Sequence, residues 1–265
     1  MTSNWNEKYR PIRIADFWQA DNPQIAAVGA MLKTGSLPQA LILIGYLGVG
    51  KTSLARAIGR RFLCTNSTTV AGDSCGSCEG CRSLSGSKRG TICTDGYLEF
   101  DASAMSSTQV CSAIYDHVSS NRLTQVPEPM YRKWIICIDE IVHGDAKLQP
   151  TLIKIVENVT RARFILSYSD PSRVLPALAS RALHVRLTPA TTDQATAAVI
   201  RIADAEGYLI EESAARFLVD SMRCLPRDCV KTLELAATLA GESKITLETI
   251  RAALAMSGST ALAHA

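Results

Sequence analysis

Hydrophobic positions along the chain fall into two regimes. Up to about residue 187, short apolar runs alternate with amphipathic segments. Ala40–Ile44 is continuously apolar, as a strand buried on both faces must be. A helix follows from Ser53, with Leu54, Ile58 and Phe62 along one face. Tyr97–Phe100 reads as a strand, Ser107–Val118 as a helix, Trp134–Ile138 as a strand and Gln149–Glu157 as a helix. Arg163–Leu166 and Leu183–Leu187 read as two further strands. Strands alternating with helices predict an α/β fold with a parallel sheet covered on both faces. The Ser/Gly-rich stretch Ser83–Asp95 and the segment Asn121–Arg132, with Pro127 and Pro129, read as connectors. From Thr188 the pattern is helical only, over 193–206, 211–222, 226–240 and 246–256, with Thr192 or Asp193 capping the first helix and Thr246 opening the last. These shifts divide the chain into a core over 1–187, a small helical domain over 188–256 and a fraying tail over 257–265.

The first strand and first helix are joined by Gly45-Tyr46-Leu47-Gly48-Val49-Gly50-Lys51-Thr52, which fits the phosphate-loop pattern G-x-x-x-x-G-K-[ST]. Its glycines let main-chain N–H groups curl around a phosphate chain, and the following helix points its N-terminus at the anion. Gly45, Gly48, Val49, Gly50 and Ser53 are thus candidate ATP-cradling residues. Lys51 supplies charge to the β- and γ-phosphates, and Thr52 offers a hydroxyl to Mg²⁺. The strand Trp134–Ile138 ends in Asp139 and Glu140. A nucleotide hydrolase needs such a pair beside its phosphate loop: Asp139 for the Mg²⁺ shell, Glu140 to orient and deprotonate an attacking water.

With 265 residues, 47% hydrophobic and 20% charged, the chain is long enough for a sizeable core and a second domain. A net charge of +3 is too mild to argue for nucleic acid by itself. No apolar run approaches the ~20 residues that span a bilayer, and the N-terminus lacks the apolar core of a signal peptide. The expectation is a cytoplasmic protein with no membrane partner. Cys64 and the run Cys75, Cys78, Cys81 place four thiols within a short segment, which in a reducing compartment suits a tetrahedral Zn²⁺ knuckle over about 64–82. An iron–sulfur cluster is the chemical rival. Such a zinc site is structural, since protein fills every ligand position. Cys93, Cys111, Cys137, Cys224 and Cys229 are scattered and read as small buried apolar residues.

Trp5-Asn6-Glu7-Lys8-Tyr9-Arg10-Pro11, the phosphate loop, the four-cysteine knuckle after its helix, Ile138-Asp139-Glu140, Ser169-Asp170-Pro171 and Ser180-Arg181 occur in an order that resembles the gamma/tau-type ATPase subunits of bacterial DNA polymerase III clamp loaders, within the AAA+ family. The resemblance covers Trp5 to about Ala255. It implies an AAA+ core with an inserted zinc knuckle and a helical lid. It also implies that Tyr9, Arg10 and Pro11 line the adenine pocket and that Ser169 senses the γ-phosphate. Arg181 then acts as a finger on a neighbouring subunit's ATP, and Arg227 is the lid arginine that contacts phosphates. Fingers supplied in trans stabilise transition-state charge and make hydrolysis depend on assembly.

Departures from the family pattern are also visible. Ala182 replaces the cysteine that follows the finger. Pro150 bends its helix unless it lies in the first turn. The segment Asp101–Ser107 lacks the basic residues expected to face DNA, leaving Arg82, Lys88, Arg89 and Lys147 as candidate replacements. The resemblance implies a further helical collar domain that closes family rings; the expectation for these residues is a core and lid without it, as either a short natural form or a piece of a longer chain. The resemblance implies a Mg²⁺-dependent ATPase that assembles with other clamp-loader subunits and loads a sliding clamp onto primer–template DNA. The alternative is a nucleotide-dependent regulatory switch that presents the knuckle to a partner without loading clamps. A branch-migration motor or helicase loader on the same scaffold ranks behind both, because neither accounts for the cysteine insert.

Overall fold

The computed structural model describes residues 4–66, 73–84, 92–94, 96–119, 134–241 and 244–257. Six strands form one sheet: β1 (Ala40–Ile44), β2 (Ile92–Thr94), β3 (Tyr97–Asp101), β4 (Trp134–Asp139), β5 (Ala162–Tyr168) and β6 (Leu183–Arg186). Their order is β2-β3-β4-β5-β1-β6. All five residues of β1 are buried. It pairs in parallel with β5 (Ala40 opposite Phe164) and with β6 (Leu41 opposite Leu183).

Alternate side chains of the strands enter opposite cores, as the two-residue period requires. Ile42 and Ile44 join Ile136 and Phe164 under α5 (Ser107–Ser119), α6 (Leu148–Asn158) and the short α7 (Pro176–Ala179). Leu41 and Leu43 join Ile135 and Ile165 under α2 (Pro23–Thr34) and α3 (Lys51–Leu63). Two shorter helices, α1 (Trp5–Lys8) and α4 (Glu79–Ser83), complete this part of the chain.

The sheet is mixed rather than wholly parallel, which corrects the sequence expectation. β2 runs antiparallel to β3, with Ile92 opposite Glu99, inside a stretch read as loop. A three-residue edge strand with exposed Cys93 at its centre is too short to show alternation. Pro150 falls in the first turn of α6, where its missing N–H leaves the helical ladder intact. The connector Asn121–Arg132, Lys88 and Arg89 lie outside the described residues, as does the tail beyond Ser257.

The C-terminal part packs α8 (Thr192–Ala205), α9 (Glu212–Ser221), α10 (Pro226–Ala240) and α11 (Leu247–Met256) around Val199, Leu218, Leu233 and Ile250. It is not purely helical, because β7 (Leu209–Ile210) and β8 (Lys244–Ile245) form a short parallel pair. The cap of α8 is Thr191, in a capping box with Gln194, rather than Thr192 or Asp193. Thr246 caps α11. Trp5 is buried in this same core. Its main-chain N–H donates to Glu234 (3.2 Å), while the Tyr9 hydroxyl (2.5 Å) and Lys8 (2.6 Å) both reach Glu206.

A candidate nucleotide site and a candidate metal centre

Strand β1 delivers the chain into the glycine loop, and α3 leaves it at Lys51. A cavity of about 260 Å³ opens there between the sheet and the helical domain. Gly48, Val49, Gly50, Lys51, Thr52 and Ser53 line it from below. Tyr9, Arg10 and Pro11 form part of its wall, and Arg227 and Val230 of α10 lie across it. Gly48 has φ +84, and a Cβ there would sit 3.3 Å from Arg227 Cβ, so the close approach of α10 to the loop depends on glycine. The Arg227 N–H is 3.5 Å from the Gly48 carbonyl. Gly45 is not part of the lining; its carbonyl accepts from Lys51 Nζ at 2.9 Å, and that of Tyr46 at 3.3 Å.

The acids at the end of β4 reach the same cavity. Thr52 Oγ1 donates to Asp139 Oδ2 at 2.6 Å, and Ser167 on β5 donates to Asp139 Oδ1. Glu140 carries an ion pair to Lys51 (3.0 Å), both side chains being largely buried. Ser169 holds Glu140 Oε2 through its N–H (3.2 Å) and its hydroxyl (2.9 Å). Glu140 itself has left-handed backbone angles, φ 51 and ψ 53, a conformation that costs a non-glycine residue on the order of 1 kcal/mol or more. Its N–H bond to Ser167 Oγ (3.1 Å), the Lys51 pair and the Ser169 bonds hold it there.

Arg181 is the sequence-predicted residue that stands apart. It lies outside the cavity lining, exposed at the end of α7, with Nε on Glu157 (2.6 Å) and Nη1 on the Ala177 carbonyl (2.7 Å). Arg82 and Lys147 are exposed. Arg10 is paired with Glu7 at 2.6 Å, and burial together with the nearby Arg56 pushes its pKa down.

Several lining residues escaped the sequence reading, among them Phe17, Trp18, Gln19 and Asp101. Gln19 is buried and donates to the Val49 carbonyl at 3.1 Å, so it braces the phosphate loop from beneath. Nothing in its local pattern marks it. Asp101 was legible in principle, because it ends the strand next to β4, in register with Asp139.

Cys64 at the end of α3 and Cys75, Cys78 and Cys81 beside and on α4 bring four sulfurs within 4.8 Å of one another. Zn–S bonds of about 2.3 Å put tetrahedral thiolates roughly 3.8 Å apart, and Cys75 and Cys81 are separated by 3.9 Å. The donor set therefore fits one tetrahedral ion, whereas an iron–sulfur cluster would hold its cysteines further apart around its own atoms. The N–H of Cys75 points at Cys64 Sγ and that of Cys78 at Cys75 Sγ, both at 3.3 Å. N–H groups of Ser77 and Cys78 draw the Cys75 thiol down to about 6, whereas burial pushes Cys64 and Cys81 up. Gly80 is what lets α4 dock: a Cβ there would lie 2.1 Å from the Leu63 carbonyl oxygen.

Of the scattered cysteines, Cys137 and Cys229 are buried as expected. Cys93 is not; it is exposed, 2.8 Å from His117 Nε2. Cys111 and Cys224 are half-buried.

A glycine loop, an adjacent strand ending in two acids and a helical domain over the cleft define a phosphate-loop protein of AAA+ architecture. Consistent with this, the RuvB Holliday junction branch migration motor of Thermotoga maritima superposes with a TM-score of 0.64 over 94% of this chain and 72% of that one, at 15% identity. The chain belongs to the family described as DNA polymerase III, delta subunit, whose model matches residues 21–191. Among curated relatives it is 29% identical over 243 residues to the DNA polymerase III subunit gamma/tau of Mycobacterium tuberculosis H37Rv, covering 90% of this chain and 39% of that protein. It is 24% identical over 251 residues to subunit tau of Escherichia coli K12 (93% and 36%). It is 27% identical over 238 residues to the replication factor C small subunit of Methanocella arvoryzae (89% and 64%). The chain thus spans about two fifths of the length of the gamma/tau relatives. Among its described residues no helix is long and apolar enough to cross a membrane.

Proposed function

We propose that this chain is an ATP-binding and ATP-hydrolysing subunit of a sliding-clamp loader. The observation that carries the reading is the convergence of Lys51, Thr52, Asp139 and Glu140 on one cavity, with Arg227 across it. Main-chain N–H groups at the start of α3 receive the phosphates, and the Lys51 ammonium moves from Glu140 to the β- and γ-oxygens. Thr52 and Asp139 would hold a Mg²⁺ ion, which would supply positive charge to offset that of the phosphates. Glu140, oriented by Ser169, accepts the proton of the attacking water. Tyr9, Arg10 and Pro11 border the adenine, and Arg227 links phosphate contact to the posture of the helical domain. Arg181, exposed and outside its own cavity, serves the ATP of a neighbouring clamp-loader subunit. The four cysteines hold a structural Zn²⁺.

The assembled subunits grip an opened clamp and primer–template DNA, and hydrolysis releases both. The test is steady-state ATPase with and without clamp and primed DNA, using the chain together with its sister subunits. Stimulation by both ligands together is the expected result, with activity abolished by Lys51→Ala or Glu140→Gln. Wild-type hydrolysis by either variant would refute the site. A flat response to clamp and DNA with an intact site would favour the regulatory-switch reading.

A further inference from the structure

Helix α3 carries more than Lys51 and Thr52. Its far half presents Arg56, Arg60 and Arg61 to the interior, each no more than 5% exposed. Arg56 has a carboxylate: its Nε and Nη2 hold Glu99 at 2.9 and 2.6 Å, and the Tyr97 hydroxyl donates to the same group at 2.8 Å. Arg60 has none among the described residues. Its Nη2 donates to the Leu84 carbonyl at 2.7 Å, while Nε and Nη1 are buried with no acceptor. Burial and the neighbouring Arg56 both work against its charge, whereas negative charge on Tyr97 and, to a smaller extent, on Cys81 favours it.

The cysteine centre lies against the same residue. The Arg60 carbonyl is 3.9 Å from Cys81 Sγ, and Leu84, which holds Nη2, is the C-cap of α4, the helix that carries Cys81. A divalent ion bound by four thiolates leaves two net negative charges in a poorly solvated place. A buried guanidinium short of acceptors and an anionic cluster each relieve the desolvation of the other.

We propose that Arg60 is the countercharge of the cysteine centre, so that metal loading balances the interior charge of the phosphate-loop helix. The inference rests on the metal reading of the four cysteines. Arg60 acts as a positioning residue: it touches neither metal nor nucleotide, but sets how strongly an anionic cluster is held. It lies nine residues beyond Lys51 on the same helix, about 14 Å along its axis.

The experiment measures Zn²⁺ affinity of the full chain by competition with a chromophoric chelator, and uses Co²⁺ absorption to report the ligand set. Arg60→Met, of similar length and no charge, is expected to bind Zn²⁺ about 10–100-fold more weakly with an unchanged four-thiolate Co²⁺ spectrum. Arg60→Lys should stay close to wild type. In a Cys75→His background, whose cluster carries one negative charge fewer, the Arg60→Met penalty should shrink.

An equal penalty in both backgrounds, or equal losses for Met and Lys, would assign Arg60 a merely structural role and overturn the proposal. Wild type and Arg60→Met binding Zn²⁺ equally tightly overturns it while leaving the metal reading intact. A folded wild-type chain that binds no Zn²⁺ overturns both. Should Arg60→Met not fold, Arg60→Lys decides alone, with retained affinity in support and a loss of about tenfold or more against.

Discussion

Glu140→Gln should tighten ATP binding while it abolishes hydrolysis. Glu140 Oε1 lies 3.0 Å from Lys51 Nζ, and the two side chains are only 15% and 4% exposed. For Lys51 to reach a phosphate it must give up that pair. At an effective dielectric of about 20 the attraction at this distance is roughly 5 kcal/mol, an upper bound that solvation largely offsets. A hydrogen bond to a charged partner has a net worth of about 1.5–3 kcal/mol. The glutamine keeps its shape and its Ser169 contact but releases the ammonium, and removes a negative charge facing the phosphates. The expected gain is therefore roughly tenfold to a hundredfold in Kd, read by titrating a fluorescent ATP analogue, with turnover measured in parallel. An unchanged or weaker Kd would refute the idea that the Lys51–Glu140 pair competes with nucleotide. Ser169→Ala, which loosens Glu140 without neutralising it, should give a smaller effect of the same sign.

Other expectations follow from individual contacts. Glu99→Gln leaves the buried Arg56 guanidinium undercompensated and should cost roughly 3–5 kcal/mol in denaturant unfolding; a loss under ~1 kcal/mol would contradict the buried pair. Gly80→Ala must push α4 away from the Leu63 carbonyl, so the four thiols should bind added Zn²⁺ more weakly than in wild type and the protein should melt earlier, with a penalty of about 1–3 kcal/mol. Asp145 accepts from the N–H of Ser107 at the start of α5, which holds its carboxyl below the ordinary value of 3.8. That contribution is present above the unfolded value and fades as pH falls through the folded one. Asp145→Asn should therefore flatten the acid limb of urea stability below about pH 4, and an unchanged limb counts against it.

What the sequence disclosed depended on whether the signal was local. β1 is apolar at every position because both its faces are covered, and the glycine loop names its own chemistry, so both were readable. The clustering of the four cysteines was readable because their spacing is set over a few residues. The α2 helix had every cue and went unread: Asn22 as cap, Pro23 at the first position, Ile25, Val28 and Leu32 on one face, and Gly35 with φ 67 at its end. β2 gave no cue, since three residues on an edge follow whatever β3 offers them. Ser167 and Gln19 brace Asp139 and the phosphate loop from other strands and turns, and no neighbour in the chain announces such bonds. Nothing local in the sequence sets Arg60 apart from its neighbours on α3, and only burial shows that its Nε and Nη1 lack acceptors among the described residues.

The first turn of the chain has its indole in the C-terminal core and its next residues in the wall of the cleft. It therefore works as a tether with one end fixed to each body. Were the helical part to tilt as a unit, Glu234 on α10 and Glu206 at the end of α8 would carry Trp5, Lys8 and Tyr9 with them, and Arg10 and Pro11 would follow because only peptide bonds separate them. The width of the cleft beside Tyr9, Arg10 and Pro11 and the angle of the helical part would in this way be one variable, set by Trp5 to Pro11.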